Sequence, residues 1–323
     1  MNPKYILLML SIFIFLFVVS QSYLYYYIPQ LYFQELFTNM GIQKPNIWMY
    51  WENIPGKNKP KYIDLCMDSL KKHCKKDFKI HMLNEKNLYT YFPKMRKDLD
   101  NMSIPQKTDY IRLYALSKKG GIWVDSDIII FKSLRNYYND LTRYEFVGFG
   151  CHDWNCNFKT NGRGKPANWL MISRKNGVLM NRCLESADKF LDSLNSKTEL
   201  AYPKNYHKLG RELLWDEIQK LDLENEKGVE NTKIVESGNG NKKWDYKHYD
   251  SRCIERDIYG HKLTNERMLS QEKMDTLCDL SFIPAYNTAP GFPDWFKNMS
   301  KDEIMKGSLL ISQLFRKSLL HGN

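Results

Sequence analysis

The sequence of 323 residues lacks several patterns that would assign it quickly. It has no internal repeat, and it has no long basic run interleaved with aromatic residues. Its formal net charge of +11 favours anionic partners such as phosphate-bearing substrates. Because no basic run with interleaved aromatic residues is present, nucleic acid is not expected as a partner. A genome rich in Lys and Asn codons would produce the same charge. The hydrophobic fraction of 43% and charged fraction of 26% are typical of a globular protein.

Cysteine is scarce and scattered. Seven cysteines spread over the chain do not define a disulfide framework. Cys151 and Cys156 enclose His152, but no second close pair follows them, so a local disulfide is favoured over a zinc site. The odd number leaves at least one free thiol or an intermolecular bond.

Lys and Arg are absent between Lys4 and Lys44. In this interval residues 5–19 form an apolar run, and the uncharged stretch continues to residue 27, with four tyrosines in its last five positions. A helix needs about 20 residues to cross a bilayer core, and this stretch is long enough. Tyrosine is favoured at the level of the lipid headgroups. Because positive charge lies on the amino side, we predict a single-pass type II membrane protein whose remaining chain is lumenal (Golgi- or ER-like) or extracytoplasmic. A signal peptide cleaved after Ser20 is the alternative.

Beyond residue 45, apolar strands alternate with helices, which indicates an α/β sheet. Ser300 and Glu303 form a capping-box pattern that opens a final amphipathic helix, for which we expect packing on the domain's own core. The chain is thus divided into a short cytosolic tail with a signal-anchor helix (1–27), a stem (28–44), one α/β domain (45–290) and the C-terminal helix (291–323).

Two aspartates, Asp125 and Asp127, stand between the apolar runs 122–124 and 128–131. Carboxylates in so apolar a setting need a cation or strong hydrogen-bond donors to offset desolvation and mutual repulsion. A divalent ion, Mn²⁺ or Mg²⁺, held by one or two carboxylates and by phosphate oxygens would meet that need and neutralise a diphosphate leaving group. The pair alone is a weak signal, since turns often carry two aspartates.

The helix before this pair strengthens the signal. Asp109 and Arg112 are one turn apart and share a face, and their neighbours are apolar. One interpretation is a buried ion pair that braces the helix against the sheet. The functional interpretation places Asp109 near the base or ribose of a nucleotide, with Arg112 orienting it or reaching a phosphate.

Residues 107–127, KTDYIRLYALSKKGGIWVDSD, resemble the DXD sugar-binding region of family 32 glycosyltransferases and the related capsular polysaccharide synthesis proteins. In that pattern a Ser-Asp-x-x-Arg helix leads to Gly-Gly, a short strand and Asp-x-Asp; Thr108 replaces the Ser and keeps its hydroxyl. The run 45–51 resembles the family's first strand, whose closing Trp stacks on the nucleotide base. This resemblance implies Trp51 for that role and Trp48 as the second candidate, with core packing as the alternative for both.

The resemblance continues more weakly along the chain. Residues 167–173 and 209–214 are similar to the segments that line the sugar pocket, although Arg211 replaces a frequent Pro. Residues 260–263 are similar to the end of the capsular-type pattern, which implies His261 as a metal or phosphate ligand. The remaining nucleotide-sugar-binding candidates are Gly121, Asn168 and Gly210.

The resemblance implies a single GT-A domain, which is a Rossmann-like nucleotide-binding mixed sheet, and a glycosyltransferase that retains anomeric configuration. Asp125 and Asp127 would be its catalytic, metal-holding pair. The implied donor is a UDP- or GDP-sugar, and the implied acceptor is a glycan, glycolipid or glycoprotein. An inactive sugar-binding or scaffold protein on the same fold is an alternative. An aspartate-nucleophile phosphatase is another, but it normally has Thr or Val where this chain has Ile129.

Overall fold

The computed structural model describes residues 43–149, 166–194, 205, 207–228, 246–249, 264, 281–285 and 292–320. Residues 45–323 form one compact unit, distinct from residues 1–44. The expected anchor, nearly all of the stem, the Cys151–Cys156 pair and His261 lie outside the described residues. In the part of the chain that is described, no helix has both the length and the apolar character needed to cross a membrane.

A six-stranded sheet forms the centre of the domain, in the order β2-β1-β3-β6-β5-β7. Neighbours are parallel at β1/β2, β1/β3 and β5/β7 and antiparallel at β3/β6 and β5/β6, which confirms the mixed α/β class. A second, antiparallel pair joins β4 and β8. The strands are β1 Asn46–Tyr50, β2 Lys79–Leu83, β3 Gly121–Val124, β4 Ile128–Ile130, β5 Phe146–Phe149, β6 Ala167–Ser173, β7 Tyr246–Tyr249 and β8 Phe282–Pro284.

Nine α-helices are described between these strands and after them. Short 3₁₀ turns occupy Asp98–Asn101 and Asp140–Thr142. The helices are α1 Lys61–Cys74, α2 Leu88–Tyr91, α3 Ile104–Lys119, α4 Arg135–Asn139, α5 Val178–Asp192, α6 Arg211–Gly228, α7 Asp294–Lys297, α8 Lys301–Lys306 and α9 Leu310–Leu319.

Side chains alternate along each strand, so the sheet divides the core into two clusters. Ile47 and Met49 of β1 point to one face, which packs against α1, β4, β8 and the C-terminal helices. Trp48 and Tyr50 point to the other face, which packs against α3, α5 and α6. We call these the α1 face and the α3 face. The residue that directly follows a strand continues this alternation.

The Gly120-Gly121 pair ends α3 and starts β3. Both glycines have positive φ, 64° and 104°, a backbone region that other residues rarely adopt. A Cβ on Gly121 would lie 2.3 Å from the carbonyl oxygen of Asn46. The two glycines therefore let the chain leave the helix and pair with β1 at once.

The C-terminal segment contains three helices, α7 to α9, where the sequence pattern predicted one. The capping box at Ser300 and Glu303 is present and opens α8. The Ser318 hydroxyl donates to the carbonyl oxygen of Ile130 at 2.5 Å, and the Lys72 ammonium donates to the Ser318 carbonyl at 2.9 Å. These contacts hold α9 on β4 and α1.

Candidate active site

The candidate residues gather at the carboxyl ends of two parallel neighbours, β1 and β3. Trp51 follows β1 and Asp125 follows β3. In open α/β sheets, ligands bind in the crevice beyond the carboxyl ends of the strands. The antiparallel strand β6 begins at this same edge, where the amide of Asp125 donates to the carbonyl of Trp169 at 2.9 Å.

Arg112 of α3 connects the parts of this site. Its Nη2 donates to Oδ1 of Asp125 at 3.1 Å, and its Nη1 donates to the carbonyl oxygen of Asn168 at 2.7 Å. Nη1 also lies 3.3 Å from Oδ1 of Asp109, one turn earlier on the helix. Arg112 is 5% exposed, and its buried Nε has no hydrogen-bond partner in the described part of the protein. An unpaired buried donor is costly, so the cluster holds Arg112 at an energetic cost to the folded state.

Asn168 and Gly210 complete the α3 side of the site. The Asn168 amide donates to Oδ1 of Asp109 at 2.9 Å. A Cβ on Gly210 would lie 2.6 Å from both the Asn168 amide nitrogen and Oδ2 of Asp109. Only glycine therefore lets the amino end of α6 approach these two side chains so closely. The structure thus brings together five of the residues that the sequence singled out: Asp109, Arg112, Asp125, Asn168 and Gly210.

Burial dominates the electrostatics of the two inner carboxylates. It raises the pKa of Asp109 to about 6, with a smaller contribution from the Asp125 charge, against the opposing effects of Arg112 and the Asn168 hydrogen bond. Burial likewise raises the pKa of Asp125, while Arg112 and Trp123 oppose the shift. One cation shared by two buried carboxylates leaves net negative charge at this edge, which favours a further cation.

Trp123 is a site residue that the sequence interpretation missed. Its indole nitrogen donates to Oδ1 of Asp125 at 2.6 Å, and its ring lies 5.5 Å from the Arg112 guanidinium. The signal was available, because residues two apart on a strand point to the same face. Trp123 precedes Asp125 by two positions and therefore shares the α3 face with it.

Asp127 lies in the turn between β3 and β4. Its carbonyl oxygen accepts from the amide of Ala285 at 2.8 Å, which fixes the turn against the end of β8. The pKa of the Cys66 thiol on α1 is raised, first by burial and then by the negative charge of Asp127. Asp125 therefore contacts residues of the α3 face, whereas Asp127 acts on a residue of the α1 face.

The described ranges contain no group of three His, Cys, Asp or Glu side chains that could hold a metal ion. The acidic turn itself nevertheless fits a hard cation. Oδ1 of Asp125 is engaged by Arg112 and Trp123, while its Oδ2 accepts no hydrogen bond from the described residues, and the side chain is 25% exposed. Mg²⁺ and similar ions commonly bind through one or two carboxylates and complete their shell with substrate phosphates and water.

The two tryptophans of the first strand differ in their surroundings. Trp48 is 2% exposed, stacks on His81 at 4.1 Å between ring centroids, and donates from its indole nitrogen to the Gly120 carbonyl at 2.9 Å. These contacts account for Trp48 as a core residue. Trp51 is partly buried and lines a cavity of about 750 Å³. The cavity also carries four lysines, Lys57, Lys59, Lys61 and Lys297.

Gly121, expected among the nucleotide-sugar-binding residues, lies away from the crevice. It lies at the amino end of β3, beside Asn46, whereas Asp125 follows the carboxyl end of the same strand. Four residue steps of extended strand, about 13 Å, separate the two positions. Gly121 therefore serves the turn between α3 and β3 and does not border the crevice. His261, the expected additional ligand, lies outside the described residues.

Comparison with known proteins supports one family. The chain matches the capsular polysaccharide synthesis protein family over residues 22–277, which is well over half of its length. This match confirms the resemblance seen in residues 107–127. No protein of curated function matches the chain.

Several solved structures are similar to parts of the chain. The PaToxG glycosyltransferase is 19% identical, over 57% of this chain and 72% of that one, with a TM-score of 0.34. The apo-form glycosyltransferase GlyE of Streptococcus pneumoniae TIGR4 is 12% identical, over 86% and 61%, with a TM-score of 0.36. The galactosyltransferase LgtC, in complex with donor and acceptor sugar analogues, is 14% identical, over 54% and 70%, with a TM-score of 0.31. At these low scores the family match alone carries the assignment.

Proposed function

The chain belongs to the capsular polysaccharide synthesis protein family, and from this premise we propose that it is a metal-dependent, retaining glycosyltransferase of GT-A fold. It would move a sugar from a UDP- or GDP-sugar donor to a glycan, lipid or protein acceptor. One observation carries the proposal. Arg112 joins Asp109 and Asp125 in a buried cluster at the carboxyl end of β3, and its Nε lacks a partner among the described side chains.

The nucleotide end of the donor is assigned to Trp51. Its ring borders a cavity large enough for a base and ribose, and stacking on an aromatic face binds any base without reading its edge. Four lysines line the same cavity; Lys59 and Lys61 pair with Asp64 and Lys297 pairs with Asp294, which leaves the wall with a net positive charge. Trp48 is assigned to the core, because its ring is enclosed by His81 and its indole nitrogen is already bonded.

The sugar end is assigned to the α3 face. Asp109 offers carboxylate oxygens and Asn168 an amide, beside the Arg112 guanidinium, and these groups suit the hydroxyl groups of a hexose. Gly210 keeps this space open, since any side chain there would collide with Asp109 and Asn168. The residues that would distinguish one sugar from another include segments outside the described ranges.

Asp125 and Asp127 would hold Mn²⁺ or Mg²⁺, which, when bound, neutralises the charge that develops on the departing diphosphate. Arg112 and Trp123 hold the Asp125 carboxylate in a fixed orientation through its Oδ1. Such preorganisation avoids the cost of reorienting the carboxylate during reaction.

In the proposed reaction the acceptor hydroxyl attacks the anomeric carbon from the face that the diphosphate leaves. The bond from carbon to the diphosphate oxygen breaks, the bond to the acceptor oxygen forms, and the acceptor's proton passes to the departing oxygen. Retention of configuration follows from this geometry without a protein nucleophile. Arg112, Asp109 and Asn168 orient the sugar, and Trp51 anchors the nucleotide.

We also propose that residues 5–27 anchor the enzyme as a type II membrane protein with an extracytoplasmic or lumenal domain. This rests on the uncharged run and on the absence of Lys and Arg between Lys4 and Lys44. A membrane-tethered enzyme would meet lipid-linked or membrane-bound acceptors at high local concentration.

A donor screen tests the proposal. The full-length protein in detergent is incubated with Mn²⁺ and a panel of UDP- and GDP-sugars, and released nucleotide is measured. We expect release from one or a few donors, and loss of release with EDTA. Nucleotide binding without release from any donor, with a range of acceptors present, would favour the inactive sugar-binding alternative.

A further inference from the structure

Lys107 is a buried cation outside the residues assigned above. It lies in the first turn of α3 and is 4% exposed. Its ammonium lies 2.7 Å from Oδ1 of Asp100 and 3.1 Å from Oε2 of Glu52. Burial lowers the pKa of Lys107, but the two carboxylates outweigh that effect and the net shift is upward, so the lysine is charged at neutral pH. A charge buried at this depth persists only when it is paired.

Glu52 receives two donors on the same oxygen. The Tyr50 hydroxyl donates to Oε2 of Glu52 in a short hydrogen bond, and Lys107 lies against the same atom. Tyr50 is 3% exposed, and burial followed by Glu52 raises its pKa, so it remains a neutral donor. Glu52 is therefore fixed from the interior side, directly after Trp51 in the chain.

Two further carboxylates surround this point. The parallel ladder pairs Tyr50 with Leu83 and continues from the Trp51 amide to the Leu83 carbonyl, so Glu52 and Glu85 occupy matching positions beyond the strand ends. Glu85 and Asp100, like Glu52, act electrostatically on Tyr50. Lys107 thus supplies positive charge to two carboxylates, Glu52 and Asp100, that would otherwise repel one another.

We propose that Lys107 is a positioning residue, which through Glu52 fixes the segment carrying Trp51 relative to Asp109 and Arg112 on α3. The inference rests on the proposed function, in which Trp51 holds the nucleotide and Asp109 and Arg112 hold the sugar. Lys107 shares a helix with the sugar-binding residues, and Glu52 is the chain neighbour of the nucleotide-binding one. The ion pair therefore sets the distance between the two ends of the donor site.

Removal of the lysine has a specific consequence. Glu52 and Asp100 would repel one another without the Lys107 charge, and the segment after β1 would move outward. The residues around Asp125 would stay in place, because they are held by separate contacts to Arg112 and Trp123. Donor binding would weaken while the step that breaks the sugar-phosphate bond would keep its rate.

The test compares Lys107→Met with wild type in the full-length protein. We expect the Kd for UDP or GDP by calorimetry, and the KM for the donor, to rise about tenfold, with kcat at saturating donor within about twofold. The double variant Lys107→Met with Glu52→Gln removes the repulsion along with the cation, so it should bind nucleotide more tightly than Lys107→Met alone. Lys220→Met is the matched control, because Lys220 pairs with the buried Glu217 at 2.6 Å on α6.

The outcomes separate the two claims. An unchanged Kd and KM in Lys107→Met, or a double variant no better than the single one, overturns the positioning role and leaves the proposed function intact. Absence of UDP and GDP binding by the wild type overturns the proposed function, and the inference with it. If Lys107→Met fails to fold, Glu52→Gln alone decides, since it keeps an acceptor for Tyr50 and should still raise the KM without lowering kcat.

Discussion

The Nη2 atom of Arg112 donates to Oδ1 of Asp125 at 3.1 Å, across 13 residues of chain that include the end of α3 and the whole of β3. Through this bond the helix and the acidic turn act as one unit. The same guanidinium holds the Asn168 carbonyl at 2.7 Å, so it connects three elements of the site. Asp125 is thereby oriented before any ligand binds.

Arg112→Lys should lower kcat/KM for the donor by about 100-fold, because an ammonium cannot reach the Asn168 carbonyl and the Asp125 carboxylate together. Steady-state kinetics with the preferred donor measures this. Arg316→Lys is the control, since Arg316 also donates to two carbonyl oxygens, those of Met305 and Gly307, within the C-terminal helices. An equal loss of kcat/KM in both variants would show a general effect of replacing arginine and would contradict the specific role of Arg112.

Gly210→Ala should reduce kcat/KM by about 10- to 100-fold, because its methyl group would meet Asp109 and Asn168 at 2.6 Å and displace both. Gly307→Ala is a suitable comparison, since its nearest contact would be the Ser312 hydroxyl at 3.0 Å. Kinetics and thermal unfolding are measured on both. A Gly210→Ala enzyme of normal activity would remove Gly210 from the sugar pocket.

The raised pKa of Asp109 should make the stability of the folded protein depend on pH. Burial raises the folded-state pKa of Asp109 to about 6, above its ordinary value of 3.8, so the native state binds this proton more tightly than the unfolded chain does. The stabilisation from protonated Asp109 is complete below about pH 4 and is lost as pH rises through 6. Asp109→Asn should therefore gain on wild type by about 1 to 3 kcal/mol in the free energy of unfolding between pH 4 and pH 7.

Denaturant titrations at several pH values measure that difference. Asp302→Asn, which removes a carboxylate whose side chain is 85% exposed, is the control. A difference between Asp109→Asn and wild type that stays constant from pH 4 to pH 7 would contradict the raised pKa.

Substitution of Trp51 should weaken nucleotide binding, whereas substitution of Trp48 should lower the stability of the fold. Trp51→Ala should weaken UDP or GDP binding by about 10- to 100-fold, the typical value of one base-aromatic stack, with little loss of stability. Trp48→Phe should instead lower the free energy of unfolding by about 1 to 3 kcal/mol, because the Gly120 carbonyl loses its buried donor. Calorimetry and denaturant unfolding test both. The reverse pattern would assign the nucleotide to Trp48.

The residues of the α3 face could be found in advance for a physical reason. Asp109 and Arg112 share a face by helical periodicity, and Asp125 must lie at the edge of the sheet because a buried strand precedes it. Asn168 and Gly210 came only from the resemblance, since their contact with Asp109 joins segments far apart in the chain.

Other features required the folded chain. Gly121 is near Asp125 in sequence but lies at the opposite end of β3, because a strand is extended. Trp48 could not be separated from Trp51 until the direction of each ring was known. The ion pair of Lys107 with Glu52 joins residues 55 positions apart, and no sequence motif links these two positions.

The central claim is that Asp127 and Asp125 hold a divalent cation on the donor's diphosphate. The most direct measurement is the rate of nucleotide release by Asp127→Asn with the preferred donor, over a titration of Mn²⁺, beside wild type and Asp302→Asn. We expect a loss of at least about 100-fold at saturating Mn²⁺ in Asp127→Asn, an unchanged rate in Asp302→Asn, and loss of wild-type activity with EDTA. Near-normal release by Asp127→Asn in excess Mn²⁺ would contradict it.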